Sequence, residues 1–347
     1  MQHPLERPVL AVDLGGTQIR AALITSDRTV HGRVAVPTRD EDGVDATLAR
    51  IAEVAIGVRD RAASDGLPAP IGVGISSPGP LDPWRGIVLT PPNLRGWHDV
   101  PIVDTVAGAV GLPTYLERDT NVAVIAEWRY GAARGTTDAI YITVSTGVGG
   151  GIVSGGRPLI GHDGLAGEVG HLVVEIDGPT CGCGGIGHVE AIASGTALER
   201  DARALLARDD SPLAAYVRDG EATDASLLAR AAADGEATAA ATLERAWVAI
   251  GALCASLVNL LNPEVIVIGG GIAEHHPRLI EVARVELARR ALPGFADRVR
   301  ISPASLGPDV SLVGLLPIVH DRLGDPAFEA GSHHTPPASV PQGAPLS

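Results

Sequence analysis

One strand pattern occurs twice in this chain, and the repeat constrains the fold more than any other feature. Near the start the sequence reads VLAVDL, IRAALIT and TVHGRVAVP, separated by the short turns GGT and SDR. From Ala139 it reads AIYITVS, a TGVGG turn and GIVSGG. Each is a β-meander whose first turn combines threonine with glycine. Two such meanders in 347 residues predict a duplicated lobe, each copy long enough to bury its own core. Hydrophobic residues make up 45% of the chain and aromatics only 3%, so that core has to be built from Ala, Val, Ile and Leu, which suits β/α layers.

Between and after the meanders the pattern is mixed α/β. Apolar positions Leu48, Ile51, Ala52, Ala55 and Ile56 predict a helix over 44–63, followed by a strand at 71–76. The long Pro- and Gly-rich stretch SPGPLDPWRGIVLTPPNLRGW then reads as a functional loop. A helix is predicted between Pro101 and Gly111, then a short strand TYLER and a buried helix NVAVIAEWRYGAA. Helices dominate 188–261, with an acidic surface excursion at 208–224. Strand EVIVIGGG, a helix near 276–291, strand VRISPAS and a final helix near 310–324 follow. From Asp325 the composition predicts a disordered tail.

A net charge of −14 argues against nucleic acid or an anionic membrane as partner, although backbone amides in glycine turns can still bind phosphate. No basic-then-apolar leader opens the sequence, and the most apolar later stretch is interrupted by Asn259, Asn262, Pro263 and Glu264, so no membrane span is expected. Of three cysteines, two lie close together in one loop and Cys254 lies in an apolar run, which suits a reducing, cytoplasmic location.

Each glycine turn carries two readings. In DLGGTQIR, Gly15, Gly16 and Thr17 either form a plain hairpin or leave N–H groups open to an oxyanion, with Asp13 orienting hydrated Mg²⁺. STGVGGG repeats that chemistry at Thr146 and Gly147. Gly270, after an apolar strand, suits either a routine strand-to-helix turn or close approach of a flat nucleoside. Asp119 is either the N-cap of the following helix or a general base accepting a hydroxyl proton in phosphoryl transfer. Asn93 is either a turn residue or a hydroxyl-binding amide.

The segment EVGHLVVEIDGPTCGCGGIGHVE places His171, Cys181, Cys183 and His188 among glycines, bracketed by Glu168 and Glu190. Thiolate and imidazole in a closed set of four suit a structural zinc ion. A metal there would fix His171 beside Glu168 and aim both at a polar ligand.

Taken in order, DLGGT, PGPLD with PNLRGW, DTNVAVIAE, STGVGGG, GEVGH, CGCGGIGHVE and VIGGGI resemble the ROK family (repressor, open reading frame, kinase) in its sugar-kinase branch, over roughly residues 8–324. The resemblance implies a two-lobed actin-like, hexokinase-like ATPase fold of duplicated ribonuclease H-like halves. The expected division is a small lobe at 1–118 completed by a helix at about 308–324, and a large lobe at 119–307. It implies ATP-dependent phosphorylation of a hexose, glucose first, at its primary hydroxyl. Other hexoses, N-acetylhexosamines or N-acetylmannosamine are the alternatives.

Carried over residue by residue, Asp119 is the base. Gly79, Asn93, Glu168, His171 and Glu190 bind sugar. Asp13, Gly15, Gly16, Thr17, Thr146, Gly147 and Gly270 hold ATP and Mg²⁺, and a homodimer is implied. Three positions depart from the family pattern: His188 replaces its usual third cysteine, Arg118 its asparagine before the base, and Gln18 its lysine after GGT. Arg118 leaves a catalytically silent sugar sensor as a further reading. A repressor needs a helix-turn-helix ahead of the first strand, where this sequence has few residues.

Overall fold

The computed structural model describes residues 7–218 and 224–324. The expected disordered tail, and part of the acidic excursion, lie outside the described residues. Two compact units divide the chain. One comprises residues up to Asp119 together with the segment from Leu315, and the other is Thr120–Gly314.

In the first unit, β1 (Val9–Leu14), β2 (Gln18–Ile24), β3 (Val30–Pro37), β4 (Val73–Ser77) and β7 (Thr114–Arg118) form one sheet in the order β3-β2-β1-β4-β7. The first three strands are antiparallel, while β4 and β7 run parallel to β1. Strand β1 is buried along its whole length, apolar except for Asp13, and the largely exposed β3 is an edge. Helix Val44–Ser64 buries Leu48, Ile51, Ala52, Ala55, Val58 and Ala62, a single face at helical spacing. Helix Ile102–Val110 stops at Gly111, whose φ of 74° only glycine adopts without strain. A small hairpin of β5 (Leu81–Asp82) and β6 (Ile87–Val88) braces the long loop.

The second unit repeats the plan. Strands β8 (Ala139–Val144), β9 (Val148–Ser154), β10 (Arg157–Pro158), β11 (Val265–Gly269) and β12 (Arg300–Pro303) are ordered β10-β9-β8-β11-β12, with the same antiparallel-then-parallel senses. Helix Ala237–Leu261 has the length and composition of a membrane-crossing segment, yet 61% of its most apolar window is buried inside the fold. Trp247, Ile250, Leu253, Cys254 and Leu257 lie in this unit's core, where burying one large apolar side chain is worth about 1.5–3 kcal/mol.

The expected final helix is broken. It consists of Val310–Val313 and Leu315–Arg322, and Gly314 between them packs so close to the Val122 carbonyl that a Cβ would overlap it. The change of unit falls at this glycine, so 308–314 stays with the second unit. Leu315 and Val319 then cover Gly74 of β4, where a Cβ would come within 2.9 Å of Leu315. Arg322 stacks over Trp84 at 4.0 Å and pairs with Glu117 at 3.6 Å, tying this last helix to the functional loop.

In the second unit Glu127 is fully buried. Its carboxylate accepts N–H bonds from Ala132, Ser305 and Leu306 at 2.7, 2.7 and 3.0 Å and the Ser305 hydroxyl at 3.0 Å. That satisfies a charge otherwise costly to bury.

The glycine run of β9 packs against its neighbours. A Cβ on Gly149 would lie 2.8 Å from the Thr120 methyl, and one on Gly151 would overlap the Thr120 carbonyl. Gly151→Ala should therefore lower the urea midpoint, at a cost of about 1–3 kcal/mol. Gly108→Ala faces open space within a helix and should be neutral or slightly stabilising. Equal midpoints for the two variants would contradict this packing.

Candidate functional site

In the first unit the candidate residues collect at the carboxyl ends of the parallel strands, the edge where open α/β sheets bind ligands. Asp13, Ser76 and Glu117 share one register row across β1, β4 and β7. Gly15, Gly79 and Asp119 come two or three residues beyond it. The Asp13 carboxylate is oriented by both neighbours: Ser76 donates to Oδ1 at 2.8 Å, and Arg20 donates to Oδ2 at 3.0 and 2.6 Å. Neither partner was singled out from sequence; Arg20 lies directly across the hairpin from Asp13, a position the DLGGTQIR spacing encodes.

The GGT turn is a tight hairpin, with the Gly15 N–H bonded to the Gln18 carbonyl at 2.9 Å. Thr38 clamps it, its hydroxyl donating to the Gly15 carbonyl at 2.6 Å and its N–H to the Thr17 carbonyl at 2.9 Å. A Cβ on Gly16 would stand 2.9 Å from the Asn93 carbonyl oxygen. This turn and the PPNLRGW loop are therefore in direct contact. Buried Leu94 and Trp97 anchor that loop and leave Asn93 exposed beside the turn. Asp119 is half-buried and is the first residue of helix Asp119–Tyr130. Arg118, which ends β7, is buried.

In the second unit the Ser145–Gly147 turn lies at the carboxyl end of β8, the corresponding edge of that unit's own sheet. It is a tight hairpin, Ser145 N–H to Gly147 carbonyl at 2.9 Å. It abuts the start of helix Gly195–Leu206, where Gly195 N–H donates to the Ser145 carbonyl at 2.7 Å and the Thr196 hydroxyl to the Thr146 carbonyl at 2.9 Å. A helix start is electropositive, which favours an anion nearby. Gly195 and Thr196 escaped the sequence reading, although Ser194, an N-cap accepting from Ala197 N–H at 3.1 Å, marks the spot. Gly270 has φ of 92°, and its Cβ would meet the Val144 carbonyl at 2.6 Å, so its close approach is to β8.

The Cys/His loop is a small folded motif. Gly170 lies so close to the Val148 carbonyl that no Cβ fits, which pins the 3-10 turn Val169–His171 to the start of β9. The ligand atoms of His171, Cys181, Cys183 and His188 all lie within 4.8 Å of one another. Cys181 Sγ is 3.9 Å from His171 Nδ1, and Cys183 Sγ is 3.3 Å from His188 Nδ1. A tetrahedral zinc site has edges of roughly 3.4–3.8 Å, so the donor set fits with little adjustment. His171 turns its other nitrogen, Nε2, towards Glu168, 3.9 Å from Oε2. Glu190 accepts from the Val148 N–H at 3.1 Å and lies 3.6 Å from Cys181 Sγ. Glu175 anchors the loop through a two-point pair with Arg245, at 3.0 and 2.6 Å.

Burial pushes the Cys181 thiol up, and the neighbouring Cys183 side chain and Glu190 add to the rise against an opposing Cys183 N–H bond. A bound divalent cation would reverse that, because a metal-ligating thiol is deprotonated. Cys254 is pushed up to about 12 by complete burial.

The profile of the ROK family matches residues 9–322. A glucokinase of Thermotoga maritima is 36% identical over 317 residues, covering 91% of this chain and 98% of that protein. An N-acetylmannosamine kinase of Escherichia fergusonii is 34% identical over 274 residues, 78% of this chain and 86% of that protein. Among solved structures, a ROK family glucokinase from Streptomyces griseus in complex with glucose and AMPPNP superposes with a TM-score of 0.76 at 31% identity, over 90% of this chain and 98% of that one.

Thiol chemistry checks this geometry. In metal-free protein a thiol reagent should modify exposed Cys183 first, Cys181 more slowly and Cys254 only on unfolding. A cluster-bound divalent metal should protect the first two. Rapid native labelling of Cys254 would contradict the packing described.

Proposed function

The chain belongs to the ROK family, and from that premise we propose that it is an ATP-dependent sugar kinase that phosphorylates a hexose, glucose first, at its primary hydroxyl. The observation that carries the reading is the position of Asp119: a half-buried carboxylate at the carboxyl end of β7, on the same sheet edge as Asp13 and the GGT turn. It joins motifs matched across nearly the whole chain.

In the mechanism, Asp119 takes the proton of the sugar's primary hydroxyl as that oxygen attacks the γ-phosphorus. The bond from that phosphorus to the β,γ-bridging oxygen breaks, and ADP leaves with the electron pair. Asn93, the Gly79 backbone, Glu168, His171 and Glu190 hold the sugar hydroxyls. Gly15, Gly16, Thr17, Thr146 and Gly147 hold the phosphates through backbone and hydroxyl donors, and Gly270 lies against the nucleoside. Asp13, oriented by Arg20 and Ser76, would hold a hydrated Mg²⁺, which when bound would neutralise charge on the triphosphate.

His171, Cys181, Cys183 and His188 would hold a structural zinc ion, with His188 as the fourth ligand. The bound ion would supply no chemistry to the reaction; with Nδ1 on the metal side, His171 keeps Nε2 3.9 Å from Glu168 Oε2. The reading includes a homodimer in a reducing cytoplasm. A second reading, N-acetylmannosamine as acceptor, is favoured by the Escherichia fergusonii relative and by Arg118, whose guanidinium suits a carbonyl better than a donor hydroxyl.

ADP release coupled to a dehydrogenase, measured over hexoses, N-acetylhexosamines and N-acetylmannosamine, tests the assignment. Turnover should be highest with glucose. Asp119→Asn should lose about two to four orders of magnitude in kcat with unchanged circular dichroism. Near-normal turnover in that variant, or none with any sugar in the parent protein, would defeat the reading. Protein prepared without added metal should carry about one zinc per chain. A fully folded, zinc-free preparation with normal activity would remove the metal from the account.

A further inference from the structure

The last helix makes a contact with the long loop that the kinase reading does not use. The Arg322 guanidinium stacks over the Trp84 ring at 4.0 Å and reaches Glu117 Oε2 at 3.6 Å. Trp84 lies at the tip of the β5–β6 hairpin, and that tip is an internally tied turn. Asp82 Oδ1 accepts the N–H groups of both Trp84 and Arg85, at 3.0 and 2.9 Å. The hairpin leads directly to Gly79: Leu81 pairs with Val88, and the Leu89 N–H donates to the Pro80 carbonyl at 3.0 Å. Glu117 is buried, accepts the Arg118 N–H at 3.0 Å and stands on β7 two residues before Asp119. One guanidinium thus touches the segment carrying Gly79 and the segment leading into Asp119. Asn93 is held otherwise, by buried Leu94 and Trp97 and by the contact of its carbonyl with Gly16.

We propose that Arg322 is a positioning residue for the acceptor sugar: stacked on Trp84 and paired with Glu117, it holds the Gly79 segment against the end of β7. This rests on the kinase reading and deepens it. A planar guanidinium suits the task, because its face stacks on an aromatic ring while its edge pairs with a carboxylate. Without the stack, the hairpin is docked for a smaller fraction of the time. Sugar binds the docked form, so its apparent affinity falls by that fraction, while the complex once formed reacts at the same rate. The direction follows: weaker sugar binding, unchanged saturated turnover, and no change for ATP, whose assigned residues lie outside this hairpin.

The test uses full-length protein and whichever of the hexoses, N-acetylhexosamines and N-acetylmannosamine the parent turns over fastest. Steady-state kinetics are measured with sugar and ATP varied separately, and the sugar Kd by calorimetry. Trp84→Leu keeps apolar bulk and leaves Arg322 on Glu117, but removes the ring. It should raise the sugar KM and Kd by at least about threefold, with kcat and the ATP KM within about twofold of the parent, as loss of one part-buried cation–π contact allows. Trp84→Phe, which keeps a ring face for the cation, should stay close to the parent. Arg322→Met should raise the sugar KM as Trp84→Leu does, and the double variant should be no worse than the worse single one. Should Arg322→Met fail to fold with Glu117 buried beside an apolar side chain, the two Trp84 variants decide alone.

Sugar constants in Trp84→Leu equal to the parent's overturn the positioning role and leave the kinase reading standing. An ATP KM that rises in step with the sugar KM does the same, as does a Trp84→Phe variant as impaired as Trp84→Leu. Parent protein that phosphorylates none of the sugars overturns both.

Discussion

The constraint on which everything else rests is the reversal at the start of each sheet. A tight glycine hairpin sends β2 back along β1, and β9 back along β8. The next strands run parallel to the first, β4 and β7 in one unit and β11 and β12 in the other. Within each unit the hairpin turn and the loops after the parallel strands therefore emerge at one edge. Asp13, Gly79 and Asp119 reach one such edge, and Thr146, Gly147 and Gly270 the other. Strand direction brings these residues to their edges, while Asn93 and the Cys/His loop are placed by separate packing, by buried Leu94 and Trp97 and by Gly170 against Val148.

Glycine then does two jobs that the sequence does not separate. At Gly16 and Gly147 the missing side chain brings the turn against a second candidate residue, Asn93 in one unit and Glu190 in the other. At Gly149, Gly151, Gly170 and Gly314 it permits contact between elements and exposes nothing to a ligand. The STGVGGG run holds both kinds within a few residues. Its first glycine belongs to the turn and the later ones to the β9 packing surface. Removing either kind would harm the protein, for different physical reasons.

Much of this was legible beforehand because it is local. Strand alternation, hairpin turns, the helix stop at Gly111 and the grouping of two cysteines with two histidines are short-range patterns, and the sheets and the cluster follow them closely. The missed features depend on partners distant in sequence. Ser76 at Asp13, Thr38 at the GGT turn, Gly195 and Thr196 at the second turn, and Arg322 on Trp84 are set by sheet order and by the returning C-terminal helix. The break at Gly314 was hidden for the same reason. Periodicity continues through it, and only the Val122 carbonyl reveals why the helix stops.

The central claim is that the Asp119 carboxylate removes the proton from the sugar's primary hydroxyl. A crystal structure of the protein with both a hexose and a non-hydrolysable ATP analogue bound tests it most directly. The account predicts an Asp119 oxygen within hydrogen-bonding distance, about 2.6–3.2 Å, of the primary hydroxyl, with that hydroxyl in line with the γ-phosphorus. A fully occupied complex in which another residue holds that hydroxyl and Asp119 touches no sugar oxygen would contradict it.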